Sequence, residues 1–472
     1  MKVLYNSYRK KNIFLGSLIF FIMSCQYSLA QTIWQGQYHS YRVILSGDLA
    51  KYKTDFLSVK IPELEIDKKV ITTVKEDSLS FKNEMYSFSF KGKYNEDKSA
   101  ISGIFNYYSI PNAAIVLKKE KEIKPLFFKQ HPQKPLPYQN MDVIFLGNKT
   151  KLTYGGTLCI PEKIKKYPLV ILLSGTGQND RNYTYFGREF FTVLADYLAR
   201  NGIASLRIDD RDIGKTTGDF EKATTGDFAN DTDDAITFLK SMKGIDTSFL
   251  GLLGHSEGGM IASIVSARNP NVKFMISLAG VGLSGLEMLN LQNRAILKSY
   301  KFSDEVVDKQ MELYTILFKA VYDTKNEESV KPIMEIKLKE WMQKQDSTML
   351  KKMQLWDGRD QTFLYRYSRD ADKSWYRYHI HYNPADYLPK ITFPVLIVNG
   401  DKDIQVPATE NINSFKKYLK SKDLTTKVYP GLNHMFQHCT TCTQKEIKEL
   451  DEVIAVEVLS DVANWIKQRF KK

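Results

Sequence analysis

Phe249-Leu250-Gly251-Leu252-Leu253-Gly254-His255-Ser256-Glu257-Gly258-Gly259-Met260-Ile261-Ala262-Ser263-Ile264-Val265 is the stretch on which the reading of this 472-residue chain turns. Phe249 to Leu253 has the length and composition of a buried strand. It runs into Gly254-His255-Ser256-Glu257-Gly258, of the form G-x-S-x-G, and then into Met260 to Val265, which reads as a buried helix. Glycines around the serine permit a strained strand-to-helix turn that presents its hydroxyl. The pattern alone is weak, since Gly and Ser usage of about 7% each produces a chance match in about one chain of this length in six. The strand before it and the helix after it carry the weight.

Working outward, compact apolar runs recur at Leu169 to Leu173, Ala204 to Ile208, Phe274 to Leu278 and Val395 to Val398, separated by helical patterns. They are too short and too uniformly apolar for half-exposed strands. Buried parallel strands flanked by helices fit them, which predicts a doubly wound α/β domain with a mostly parallel sheet, over residues 138–472. Between the last two runs, Val307, Met311, Tyr314, Phe318 and Val321 recur at alternating steps of four and three, one face of a helix. A helical cap inserted at about residues 282–390 is the expected consequence.

A serine hydroxyl needs a histidine to take its proton and a carboxylate to fix the imidazole tautomer. Past Val398 comes Gly400-Asp401-Lys402-Asp403-Ile404-Gln405-Val406-Pro407. Past the short strand Lys427-Val428-Tyr429 comes Gly431-Leu432-Asn433-His434. Ser256, an aspartate and His434 therefore follow in the order Ser, Asp, His. Spacing does not choose between Asp401 and Asp403. Asp401, directly after the glycine, suits bonding to nearby backbone N–H groups, whereas Asp403 has more reach toward His434. The oxyanion donors are normally the N–H of the residue after the nucleophile, here Glu257, and one from the loop after an earlier strand.

Taken together, Leu173-Ser174-Gly175-Thr176-Gly177, Asp209-Asp210-Arg211, Gly254 to Gly258, Gly400 to Pro407 and Gly431 to His434 resemble α/β hydrolases of the esterase and serine-aminopeptidase-like group, particularly exported bacterial forms with a β domain ahead of the hydrolase core. The resemblance covers roughly Val143 to Phe470. It implies Asp403 as the triad acid, Asp401 as a structural neighbour, and the Thr176 N–H as the second oxyanion donor. Many relatives carry histidine where this chain has Ser174 and glycine where it has Asp212. The first departure changes a side chain, while the oxyanion contact is made by backbone.

The implied activity is hydrolysis of a carboxylic ester through an acyl-enzyme on Ser256, with no cofactor or metal required. Two alternatives stay open: a peptidase using the same triad, and a non-catalytic binding protein on this scaffold. A peptide amine would need carboxylates in the cap or mouth, for which Glu287, Asp304 and Asp357 are available. The expected partner is a small-molecule ester or short peptide. Oligomeric state is not legible.

The flanking sequence sets the context. Lys2, Arg9, Lys10 and Lys11 precede an apolar run, Ile13 to Met23, and then Ser28-Leu29-Ala30. Charged, apolar and small in that order predicts an export signal over residues 1–30 and a secreted or periplasmic protein. The run is too short to span a membrane. Ile22-Met23-Ser24-Cys25 leaves a second route, a lipid anchor at Cys25. From residue 32 to 117 short runs alternate apolar and polar, as at Tyr86, Phe88 and Phe90, and predict a small antiparallel β domain. Residues 118–137 have the composition of a linker.

Hydrophobic and charged fractions of 43% and 26% are those of an ordinary globular protein. The net charge of +13 comes from lysines interleaved with acids, which disfavours a nucleic-acid site. Cys439 and Cys442 suit a small disulfide loop; a metal site with His434 and His438 would lack a second cysteine pair. Asp209, Asp210 and Arg211 read as a structural ion-pair turn. The aromatic stretch Phe363, Tyr365, Tyr367, Trp375, Tyr376, Tyr378 and Tyr382, with His379 and His381, reads equally as a pocket wall and as packing between cap and core.

Overall fold

A computed structural model describes residues 32–471, apart from 39–40, 48–55, 62–65, 85–86, 108–109, 122–127, 163, 165, 326–327 and 448. The export segment 1–30 and Cys25 lie outside the described residues.

Period-two alternation in the first third builds one closed antiparallel barrel of eight strands. They are β1 (Thr32–Tyr38), β2 (Tyr41–Gly47), β3 (Phe56–Ile61), β4 (Ile66–Lys75), β5 (Ser78–Asn83), β6 (Phe88–Tyr94), β7 (Ala100–Tyr107) and β8 (Ile110–Glu120). Antiparallel pairing of β1 with β8 closes the ring, which removes the unpaired edges that an open sheet would expose. Alternate residues point inward, among them Leu79 and Phe81, Phe88 and Phe90, Ile101 and Phe105, and Ile115 and Leu117, all buried. Strand β8 carries on to Glu120, into the stretch that composition reads as a linker.

The second unit is built on an eight-stranded sheet: β9 (Tyr138–Leu146), β10 (Thr153–Pro161), β11 (Leu169–Leu173), β14 (Ala204–Ile208), β15 (Leu250–His255), β16 (Val272–Leu278), β17 (Val395–Gly400) and β18 (Leu424–Tyr429). A two-residue hairpin, β12 (Thr184–Tyr185) with β13 (Arg188–Glu189), stands apart. In space the order is β9-β10-β14-β11-β15-β16-β17-β18. The pairs from β14 to β18 are parallel; β9 and β10 run antiparallel. The apolar runs mark the parallel strands, because each is buried on both faces. In β11, Leu169, Ile171 and Leu173 join one core and Val170 and Leu172 the other. The two antiparallel strands escape that pattern. β9 is mostly exposed, and β10 buries Tyr154, Leu158 and Cys159 but has Gly155, Gly156 and Thr157 between them, which breaks the apolar run.

Helices α1 (Phe190–Arg200), α2 (Thr225–Ser241), α3 (Glu257–Ser266), α10 (Ala408–Tyr418) and α12 (Val456–Phe470) belong to the body of this unit, with short α11 (Gln444–Ile447) in a loop. Between β16 and β17 lies the helical insertion: α4 (Gly285–Ser299), α5 (Asp304–Asp323), α6 (Lys331–Met342), α7 (Ser347–Lys352), α8 (Arg359–Ala371) and α9 (Ser374–His381). It has its own apolar core, into which α5 turns the face Val307, Met311, Tyr314, Phe318 and Val321. The sheet order, the turn after β15 and this insertion make the second unit an α/β-hydrolase fold.

Candidate active site

Strand β15 delivers the chain into the sheet's carboxyl edge and α3 takes it away at once, so one residue must absorb the reversal. That residue is Ser256, with φ 56° and ψ −120°, a backbone conformation costly for a residue with a side chain. Its flanking glycines are needed for space. A Cβ on Gly254 would collide with the carbonyl of Gly258, and one on Gly258 with the carbonyl of Leu173.

Behind the serine the loops after β17 and β18 meet. His434 Nδ1 donates to Asp403 Oδ2 at 2.7 Å, with both side chains buried. The other Asp403 oxygen accepts the N–H groups of Gln405 and Val406, each at 2.8 Å, and Asn399 donates to Oδ2 at 3.4 Å. With its proton on Nδ1, the His434 ring keeps a lone pair on Nε2. Asp401 is occupied elsewhere: its Oδ1 accepts the Gly431 N–H at 2.7 Å, stapling the turn that carries His434. Ser256 and His434 line one cavity without a hydrogen bond between their side chains among the described contacts, a looseness common in unliganded sites.

That cavity measures about 620 Å³. The loop after β11 supplies Thr176, and a Cβ on Gly175 would come within 3.1 Å of the Ser256 Cβ, so this loop lies against the serine. Glu257 forms part of the floor. Met288 and Leu289 from α4, and Trp375 and His379 from α9, contribute the cap side. Glu287, Asp304 and Asp357 are exposed and outside the lining; Glu287 instead closes a capping box with Ser284 at the start of α4.

The Asp209–Arg211 turn divides its labour differently from the sequence reading. Asp209 pairs with Arg181 at 2.6 Å and Arg211 with Asp231 at 2.8 Å. Asp210 joins neither pair. It accepts the Asn179 N–H at 2.8 Å and the Ser174 hydroxyl at 3.4 Å, gripping the loop that holds Thr176. Burial, with the nearby charge of Glu257 adding to it, pushes its carboxyl up to about 8.

Sequence reasoning also missed His255, which is fully buried between Tyr183 and the backbone of His434. Burial, and next the neighbouring His434, hold its pKa well below 6.5. Of the aromatic stretch, Phe363 and Tyr367 pack on Tyr314 inside the cap, whereas Trp375 and His379 face the cavity. Cys439 and Cys442 form a disulfide, and Cys159 is free and buried. Among the described residues no cluster of His, Cys, Asp and Glu is arranged to hold a metal, and no helix is long and apolar enough to cross a membrane.

Comparison with known proteins points the same way as the fold. The family model for serine aminopeptidase, S33, matches residues 183–370, a stretch that contains Ser256. The chain is 24% identical over 361 residues to esterase EstD of Thermotoga maritima, covering 75% of this chain and 72% of that protein. Solved structures that resemble it include Est1E of Butyrivibrio proteoclasticus with ferulic acid bound, at TM-score 0.42 and 19% identity, covering 70% of this chain and 100% of that one. Another is proline iminopeptidase of Mycobacterium smegmatis, at TM-score 0.42 and 16% identity, covering 70% and 99%. The protein is a serine hydrolase whose second unit has the α/β-hydrolase fold, and it is similar to esterases and to the serine aminopeptidase, S33, family.

Proposed function

We propose that the protein hydrolyses carboxylic esters through an acyl-enzyme on Ser256. The observation that carries this reading is the 2.7 Å bond between His434 Nδ1 and Asp403, which leaves Nε2 as the ring nitrogen not engaged by Asp403, in a residue that lines the same cavity as Ser256. His434 takes the Ser256 proton as Oγ bonds to the ester carbonyl carbon. The oxyanion so formed accepts the N–H groups of Glu257 and Thr176. His434 then returns the proton to the leaving alkoxide as the C–O bond breaks, releasing the alcohol. Water repeats the sequence on the acyl-enzyme, giving up a proton to His434 and expelling Ser256. Asp403 holds the ring and offsets its positive charge at each stage.

A fluorophosphonate probe followed by peptide mass spectrometry tests this. Phosphonylation at Ser256, absent after Ser256→Ala, is the expected result; labelling elsewhere, or none, contradicts it.

Export is part of the same proposal. It is supported by the charged, apolar and small order of residues 1–30 and by the Cys439–Cys442 disulfide, which suits an oxidising compartment. Mass spectrometry of the native protein is expected to find an N-terminus near Gln31, or a lipidated Cys25. An intact Met1 on cytoplasmic material contradicts both.

A further inference from the structure

We propose that a second cavity, bounded by Phe220, Ala223, Phe228 and Trp375, receives the acyl chain of the ester and selects apolar chains of about four to six carbons; this rests on Ser256 being the nucleophile. The cavity measures about 140 Å³ and adjoins the triad cavity, because Thr176, Gly177 and Trp375 line both. The join is open at Gly177, where an added Cβ would meet no atom within 4 Å. Inside, the walls are apolar. Phe220 and Phe228 pack on each other with ring centroids 5.8 Å apart, and Ala223 is buried. The one polar atom of the Trp375 ring is engaged: its indole N–H donates to Glu257 Oε1 at 2.8 Å, an oxygen that also accepts the Thr225 hydroxyl at 2.7 Å. Glu257 therefore fixes the ring that the two cavities share. The charged side chains of the lining, Glu221 and Lys373, reach solvent and pair with each other at 3.0 Å. An apolar cavity of about 150 Å³ stays dry and takes a six-carbon ring, which sets the size of chain this one can hold.

The path of the proton decides which half of the ester goes there. His434 returns its proton to the leaving alkoxide, so the alcohol oxygen faces His434, while the carbonyl oxygen faces the N–H groups of Glu257 and Thr176. The acyl chain is the remaining substituent and points away from His434. In the sheet, His434 follows β18, on one side of β15, the strand that leads into Ser256; Phe220, Ala223 and Phe228 follow β14, on the other side. Neither Ser256 nor His434 lines the second cavity. The alcohol is left to the triad cavity of about 620 Å³, whose walls mix Gln178, Asn179, Asp180, Gln292 and Gln405 with apolar side chains and impose no comparable limit on size.

Two ester series test this: p-nitrophenyl acetate, butyrate, hexanoate and dodecanoate, which vary the acyl chain, and methyl, butyl and octyl butyrate, which vary the alcohol. Wild-type enzyme is expected to gain about tenfold or more in kcat/KM from acetate to the better of butyrate and hexanoate, and to lose about tenfold by dodecanoate. Along the alcohol series it is expected to change by no more than about threefold, and neither readout requires a variant. Ala223→Leu, which fills the cavity, is expected to lower the ratio of hexanoate to acetate turnover about tenfold, and Phe228→Ala, which enlarges it, to raise the ratio of dodecanoate to hexanoate by a similar factor. A flat acyl profile in wild type, a steeper dependence on the alcohol than on the acyl chain, or an acyl profile unchanged in a folded variant overturns the inference. The hydrolase reading survives each of these, provided a fluorophosphonate labels Ser256 and acetate is turned over. Failure of Ser256 to label, with no ester turned over, removes both.

Discussion

The His255 ring joins β15, the strand that leads into Ser256, to the backbone of His434: its Nε2 donates to the His434 carbonyl at 2.9 Å, while the Tyr183 hydroxyl donates to Nδ1 at 3.0 Å. A carbonyl only accepts, so the proton is on Nε2 and the ring is neutral. Replacing it with phenylalanine keeps an aromatic against Phe190 and Phe436 but leaves the carbonyl and the hydroxyl unpaired. His255→Phe is expected to cost about 1–3 kcal/mol of stability and to lower kcat more than it changes KM. Thermal melting and steady-state kinetics check this; a variant matching wild type in both contradicts it.

The same ring carries a pH dependence. Its folded pKa lies below 6.5, so the unfolded chain binds the proton more readily. Its contribution to stability is fully present above pH 6.5 and is lost as the pH falls toward the folded value. Acid unfolding of His255→Phe is therefore expected to be shallower than that of wild type below pH 6.5, as measured by melting temperature against pH.

Asp210 titrates in the opposite sense. Its carboxyl, pushed up to about 8, is protonated at neutral pH while it grips Ser174 and Asn179. Its ionisation would add negative charge beside Glu257 and the oxyanion loop. An alkaline decline in kcat/KM centred near pH 8 is expected, and Asp210→Asn should retain activity above it. Since the folded carboxyl holds its proton more tightly than the unfolded one, stability from this group falls as pH rises toward 8. Asp210→Asn is expected to gain in melting temperature relative to wild type at pH 9 more than at pH 5. Superimposable pH–rate profiles would contradict this.

What the chain discloses follows from where its chemistry is local. The turn at Ser256 is written in Gly254 and Gly258, because close approach to backbone excludes any Cβ there. The strands that position Asp403 and His434 are legible because burial on both faces makes them apolar throughout. β9 and β10 are not, since β9 is mostly exposed and Gly155, Gly156 and Thr157 interrupt the apolar pattern of β10 between Tyr154 and Leu158. Asp210 and Asp209 are the same residue type side by side, and the fold alone decides that one finds Arg181 and the other the loop at Asn179. The aromatic stretch gives no sign of which ring faces the cavity, because Trp375 and Tyr376 are adjacent on one short helix. Glu257 is named by the motif for its N–H, while its side-chain partners Thr225 and Trp375 come from α2 and the cap.

The two aspartates after β17 separate cleanly by asparagine substitution. Asp403→Asn preserves the shape of the hydrogen-bond network but favours the wrong His434 tautomer, and a loss in kcat of up to about 10⁴-fold is expected. Asp401→Asn weakens the bond to Gly431 and is expected to act on melting temperature with little effect on turnover. An inactive Asp401→Asn that melts like wild type would reverse the assignment.

Turnover of an activated ester by Ser256→Ala, in protein whose melting temperature matches wild type, tests the central claim most directly. The substitution removes one hydroxyl at the apex of the turn and little packing. Loss of the nucleophile is expected to lower kcat by about 10⁵-fold or more, to a rate that further replacement of His434 or Asp403 barely reduces. A folded Ser256→Ala enzyme retaining turnover within about tenfold of wild type would contradict the account, because no acyl-enzyme on this residue could then lie on the pathway.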